Sequence, residues 1–333
     1  MKRFVGLASL AFVCPLLAQA PSVPATVIQP AGQPVSQPAA QPSKPAKPAT
    51  YDEKADAKAQ IAAAVARASK ENRRVLIQWG ANWCGWCHKL HDTLKTDAKA
   101  KRVMMYEFDL VLVDIGRFDK NMDIAAGYGA DLKKAGVPFL TVLDGSGKAI
   151  ANQETGGLEL PSSKETPYPG HDPAKVIAFL DSHKAAYLEA SAVLAAGIER
   201  AKNENKIVFL HFGAPWCVWC HRLEDWMAKP EVVAILGKQF VDVKIDTDRM
   251  IGGKDVEAVH RDNAKGGIPG FAFINPADGK KIATSDGPKG NVGFPAQPEE
   301  IEHFIAMLKT CKNITADDAA TLKKSLEAKP QGH

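Results

Sequence analysis

Six cysteines in 333 residues are too few to staple a fold together. Aromatic residues are sparse at 7%, and the charges nearly cancel, with 42 Lys and Arg against 38 Asp and Glu. A net charge of +4 supplies no strong field, which argues against nucleic acid as a partner. Long apolar runs are also lacking. The one of note is N-terminal and too short to span a bilayer comfortably. What remains is 45% hydrophobic and 24% charged, the profile of a folded soluble protein long enough for two ordinary domains.

Lys2 and Arg3 precede an apolar stretch from Phe4 to Ala18, and Ala18-Gln19-Ala20 offers small residues to a signal peptidase. Residues 1–20 therefore read as a secretory signal. Pro21 sits badly just past that cut and leaves the cleavage site open. An uncleaved anchor is opposed by Pro15, which interrupts the helix it needs, and lipid attachment at Cys14 by the bulky Phe12 and Val13. The expected location is exported, periplasmic or secreted, with membrane contact only if the N-terminal segment stays uncleaved. Residues 21–50 hold eight of the 22 prolines and no aromatic residue, so they read as an extended, disordered tether.

The remainder repeats itself. Asn72 to Leu90 aligns with Asn205 to Leu223, and Cys217 falls 133 residues after Cys84. Such self-similarity marks a duplicated domain, here 51–186 and 187–311, with 312–333 as a tail carrying a short helix that Thr315 to Asp318 caps. Each unit reads as an Ala-rich helix (54–70; 187–203) and an apolar strand (75–79; 207–212), followed by a helix opening at a Cys-x-x-Cys pair. A further strand (107–113; 240–245) and a strand entered through a proline (136–143; 267–274) come next, then a turn and a last helix near Asp172-Pro173 or Pro298. Strands alternating with helices indicate an α/β layered domain.

A cysteine at a helix N-terminus meets unpaired N–H groups and the positive end of the helix dipole, which stabilise its thiolate. Cys84 and Cys217 are therefore the expected nucleophiles, and Cys87 and Cys220, one helical turn on, the resolving thiols. Pro138 follows Cys84 by 54 residues and Pro269 follows Cys217 by 52. A cis X-Pro bond at each would bring the preceding backbone to the cysteines.

Trp83-Cys84-x-x-Cys87 with Val137-Pro138, and Trp216-Cys217-x-x-Cys220 with Ile268-Pro269, resemble the active site of the thioredoxin superfamily over residues 52–310. The resemblance implies two tandem thioredoxin-like domains, each a mixed central sheet flanked by helices. The implied activity is protein thiol–disulfide exchange without a cofactor or metal. Its partners would be disulfide-containing or dithiol proteins and an upstream thiol–disulfide electron donor. Cys217-Val218-x-Cys220 with Glu224 is similar to exported thioredoxin-like domains, among them the C-terminal domain of membrane disulfide-interchange reductases. A reductase or electron relay is expected ahead of an oxidase, while Gly85-Trp86 and Val218-Trp219, which are not the Gly-Pro of cytoplasmic thioredoxin, leave reductase, oxidase and isomerase open. The position six residues before the first cysteine, an acid in most thioredoxins, holds Gln78 and His211. Gln78 cannot relay a proton, whereas His211 is either a relay or a packed core residue.

All six tryptophans lie at 79–86 or 216–226. Trp79 and Trp226 are expected in the cores, and Trp83, Trp86, Trp216 and Trp219 on an exposed rim for docking polypeptides. Three rival readings use the same residues. Cys84-Gly85-Trp86-Cys87-His88 and Cys217-Val218-Trp219-Cys220-His221 match the c-type haem attachment pattern, with His88 or His221 on iron. Cys84, Cys87, His88 and His91 could hold zinc, but Glu224 replaces the matching His91 in the second unit. A thioredoxin-fold binding module without catalysis is the third. Cys311 is expected as a small buried residue.

Overall fold

The computed structural model describes residues 49–328. The expected signal segment and nearly all of the expected tether lie outside the described residues.

In the first half the order is α1 (Ala57–Lys70), β1 (Arg74–Gly80), α2 (Gly85–Thr96), α3 (Ala98–Glu107), β2 (Phe108–Asp114), α4 (Met122–Gly127), α5 (Leu132–Ala135), β3 (Phe139–Leu143), β4 (Ala149–Glu154) and α6 (Pro173–His183). The second half repeats it as α7 (Ala190–Asn203), β5 (Ile207–Gly213), α8 (Val218–Met227), α9 (Pro230–Gln239), β6 (Phe240–Asp246), α10 (Gly253–His260), β7 (Gly270–Ile274) and β8 (Lys281–Thr284). A small hairpin, β9 (Asp286–Gly287) and β10 (Gly290–Asn291), then leads to α11 (Pro298–Leu308) and α12 (Ala316–Glu327).

Each half builds one mixed four-stranded sheet, ordered β2-β1-β3-β4 and β6-β5-β7-β8. The first two strands of each half pair in parallel, and the remaining pairs are antiparallel. The central strands β1 and β5 are buried on both faces. On one face of β1, Val75, Ile77 and Trp79 pack with Ile61 and Ala64 of α1; on the other, Leu76 packs with Leu90 and Leu94 of α2 and Val176 of α6. In the second half Val208, Leu210 and Phe212 face Leu194 of α7, while Phe209 faces Leu223 of α8 and Phe304 of α11. The alternation therefore places Gln78 and His211 on the face that carries the cysteine helix.

Within residues 312–333, the expected tail with a short helix, α12 packs against the second core. The capping box of Thr315 and Asp318 starts α12, whose Leu322 and Leu326 join Leu223, Trp226 and Phe304. Cys311 is buried just beyond α11, and burial pushes its thiol up to about 11. Among the described residues no helix is long and apolar enough to cross a membrane.

Candidate active site

Each chain turn from β1 or β5 into the next helix is built the same way. Cys84 N–H donates to Ala81 O at 3.0 Å, and Cys217 N–H to Ala214 O at 3.0 Å. Both first cysteines are N-caps: Cys84 Sγ accepts from Cys87 N–H, and Cys217 Sγ from Cys220 N–H, at 3.1 Å each. The histidine after each pair ties the turn back, His88 Nε2–H to Asn82 O at 2.8 Å and His221 Nε2–H to Pro215 O at 3.0 Å. Cys84 joins Cys87 and Cys217 joins Cys220 in disulfides. Opening either pair leaves the first sulfur facing helix N–H groups that favour its thiolate.

Both expected cis bonds are present, Val137–Pro138 and Ile268–Pro269. Val137 O lies 3.7 Å from Cys84 Sγ, so the residue before Pro138 abuts the first pair. The glycine ahead of each dipeptide has a reason: Gly136 (φ 78°) and Gly267 (φ 86°) occupy backbone that L side chains avoid. Thr155 Oγ1–H donates to Pro138 O at 2.7 Å, and Asn291 Nδ2–H to Pro269 O at 2.8 Å, which fixes each proline strand to its neighbour.

Trp83, Trp216 and Trp219 are 47%, 52% and 48% exposed around the pairs. Trp86 departs from the expected rim. It is half-buried, edge-on to Tyr168 and His171 of the 159–172 connection, which folds back over it. His171 is itself buried with neither ring nitrogen bonded, and burial lowers it to about 4. Trp219 packs with Phe294, and the Arg222 guanidinium lies 4.3 Å from its ring. Trp79 and Trp226 are core residues, bonded to Thr141 Oγ1 and Ser325 Oγ.

Beneath the pairs the two units differ in charge. Gln78 is fully buried and donates from Nε2 to Tyr51 Oη at 2.6 Å and to Cys87 O at 2.9 Å. At the matching position His211 is buried with Nε2 3.0 Å from Asp242 Oδ1. Behind Cys220, Glu224 Oε1 lies 2.6 Å from Lys244 Nζ. Gly213 marks how close they come: a Cβ there would stand 3.4 Å from Cys220 Sγ and 3.9 Å from Glu224 Oε1. Tyr51 and Lys244 were not singled out by sequence reasoning. Tyr51 did carry a signal, as the first aromatic residue after an aromatic-free stretch; Lys244 becomes visible only through sheet register, beside His211.

Glu71, His221 and Glu224 bring three possible ligand atoms within 4.8 Å of one another, the one such group among the described residues. They line a cavity of about 540 Å³ with Lys244 and Arg249. Arg73 Nη1 already lies 3.0 Å from Glu71 Oε2, and Lys244 neutralises Glu224, so the cluster is balanced by cations of its own. Burial raises the Glu71 carboxyl, but Lys244, Arg73 and His221 together bring it below the usual range. The zinc and haem readings meet a different obstacle at His88. Its Nε2–H is spent on Asn82 O, and its Nδ1 accepts from Thr50 Oγ1–H at 3.0 Å.

A thioredoxin-like family model matches residues 56–145, and a family described as a protein of unknown function matches residues 174–329. An uncharacterized protein of Caenorhabditis elegans is 31% identical over 107 residues, 29% of this chain and 14% of its own length. Spermatogenesis-associated protein 20 of Homo sapiens is 31% identical over 84 residues, 23% of this chain and 10% of its own. The chain thus spans only a small part of these curated relatives. Among solved structures, a disulphide isomerase from Xylella fastidiosa Temecula1 aligns with 40% of this chain and 95% of its own, at 27% identity and a TM-score of 0.34. A protein described as DsbH oxidoreductase aligns with 34% and 81%, at 21% identity and a TM-score of 0.26.

Proposed function

Because this chain carries two domains of the thioredoxin superfamily, each with a Cys-x-x-Cys disulfide, we propose that it is an exported protein thiol–disulfide oxidoreductase working as a reductase or electron relay. The observation that carries the reading is the doubled cap: Cys84 and Cys217 each hold a helix N-terminus and accept the N–H of the partner cysteine.

In the reduced state, the Cys84 or Cys217 thiolate attacks a client disulfide. A mixed disulfide forms, and the client's other sulfur leaves as a thiolate that takes a proton. Cys87 or Cys220, deprotonated, then attacks the first cysteine's sulfur, closes the internal disulfide and releases the client's second sulfur. Two electrons pass to the client, and an upstream dithiol protein restores them. Trp83, Trp216 and Trp219 supply an apolar rim for the client chain, beside Pro138 and Pro269. The reductive direction rests on the likeness of Cys217-Val218-x-Cys220 and Glu224 to exported disulfide reductases.

Cys84→Ser and Cys217→Ser, singly and together, test the reading through reduction of an insulin-like disulfide. Each single variant should lose its own site's share and the double variant all activity. Full activity in the double variant would sink it. Site potentials near about −270 mV support reduction, whereas about −120 mV would reverse the direction.

A further inference from the structure

We propose that the Tyr51 hydroxyl turns its free hydrogen to the Cys87 thiolate as the first pair opens, and so governs how readily an incoming dithiol opens it. The proposal rests on the exchange chemistry above and adds a group to one of its two sites.

Tyr51 precedes α1 and is held against the cysteine turn from several sides. Its N–H donates to Asn82 Oδ1 at 2.9 Å, and its carbonyl accepts from Asn82 Nδ2 at 2.9 Å. Its neighbour Thr50 bonds His88, while Glu53 Oε1 accepts from Asn82 Nδ2 and Glu53 O from Lys120 Nζ. Asn82 and His88 flank the cysteine pair in sequence, so this strap is laced to the redox turn itself. The Tyr51 ring is fully buried in one cluster with Cys84 and Cys87.

The hydroxyl's hydrogen is the unspent group. Gln78 Nε2 uses one N–H on Tyr51 Oη and the other on Cys87 O, so it only donates. Among the described residues Gln78 is the one hydrogen-bond partner of that hydroxyl. The space in front is defined by Gly80, where an added Cβ would collide with the Tyr51 hydroxyl and with Cys87 Sγ at 2.8 Å. Hydroxyl and sulfur therefore border the same point. The surrounding groups are uncharged Gln78 on β1, Asp114 at the end of β2 with Lys120 Nζ 3.7 Å away, His88 on α2, and Glu53 on the strap. Burial raises the Tyr51 phenol further above its ordinary value, so it keeps its proton.

The step it serves is loading of the pair. A donor thiolate attacks Cys84 Sγ, forming a donor–Cys84 disulfide. The Cys84–Cys87 bond breaks, and its electron pair goes to Cys87 Sγ. That sulfur has no exposed surface, so water cannot stabilise the thiolate it becomes. Tyr51 O–H is placed to do so while keeping its proton. The donor's second thiol then gives its proton to Cys87 and attacks its own sulfur in the mixed disulfide. Cys84 leaves as a thiolate, the donor leaves oxidised, and two electrons stay on the pair.

The test uses the full chain with Cys217→Ser and Cys220→Ser, so that only the first pair reports. Dithiothreitol should open Cys84–Cys87 roughly tenfold more slowly in Tyr51→Phe, the loss expected for a hydrogen bond to a charged group. With Cys84 also changed to Ser, the alkylation curve of Cys87 should move to higher pH in Tyr51→Phe. If Tyr51→Phe fails to fold, 3-fluorotyrosine at position 51 keeps the ring and strengthens the donor, and opening should quicken. An unchanged rate and alkylation curve in folded Tyr51→Phe, or no quickening with the fluorinated residue, would overturn the proposal. Failure of the exchange reading shows separately, as full client reduction in the double cysteine variant.

Discussion

Arg249 Nη2 lies 3.1 Å from Glu107 Oε2, and each side chain is only 4% exposed. Glu107 closes α3 in the first unit, and Arg249 follows β6 in the second. Arg249 also donates to Glu71 O at 2.9 Å and Asn72 O at 2.8 Å, and Tyr187 Oη–H donates to Glu107 Oε1 at 2.7 Å. Asp248, next to Arg249, accepts from Tyr106 Oη–H of the first unit and from Trp216 Nε1–H on the rim of the second site, both at 2.9 Å. Removing one partner of a buried pair leaves the other charge uncompensated. Arg249→Ala should therefore lower stability by about 3–5 kcal/mol in denaturant unfolding. The double replacement Glu107→Leu with Arg249→Met should recover part of the loss; no recovery would mean that the backbone bonds of Arg249 carry the effect.

The matched glycines before the two turns should respond unequally to the same change. At Gly80 a methyl meets the Tyr51 ring and the Cys87 sulfur, whereas at Gly213 the nearest atoms are Cys220 Cβ at 3.3 Å and Sγ at 3.4 Å. Gly80→Ala should cost about 1–3 kcal/mol by overpacking and speed alkylation of the reduced first pair. Gly213→Ala should cost less by thermal unfolding. Equal losses would contradict this packing difference.

His171 gives the first unit a dependence on acidity. Its folded value is lowered by burial to about 4, against about 6.5 in the unfolded chain. Above about pH 6.5 neither state is protonated and the residue contributes no slope. As pH falls from there toward about 4, the unfolded chain binds a proton that the folded chain refuses, so stability drops, then levels off below about 4. His171→Leu should remove that component of the slope in unfolding measured across this range. A wild-type slope retained in the variant would assign it to other groups.

What sequence reasoning reached was local or periodic. The constant offset of 133 exposed the duplication, the resemblance to thioredoxins singled out Gln78 and His211, and a proline-led strand recurred at nearly equal distance. Trp86 and Trp219 share a sequence position but not an environment, because one is covered by Tyr168 and His171 and the other keeps about half its surface. The cover comes from the connection before α6, whereas the connection before α11 sets only Phe294 on Trp219, and nothing near Trp86 announces the difference. Tyr51 meets Gln78 from 27 residues away, Glu107 meets Arg249 from 142, and Trp226 meets Ser325 from 99. Such pairs follow from how helices and sheets come to rest against each other, which spacing along the chain does not encode. The same holds for α12, whose capping signal was legible while its place in the second core was not.

Setting four of the six indoles beside two sulfur pairs turns the protein into its own optical gauge. Disulfides quench nearby indole emission, so closing or opening a pair alters the emitted light without any label. Swapping Trp83 and Trp86, or Trp216 and Trp219, for phenylalanine would darken one centre at a time. The order in which electrons arrive at each could then be followed on a stopped-flow trace.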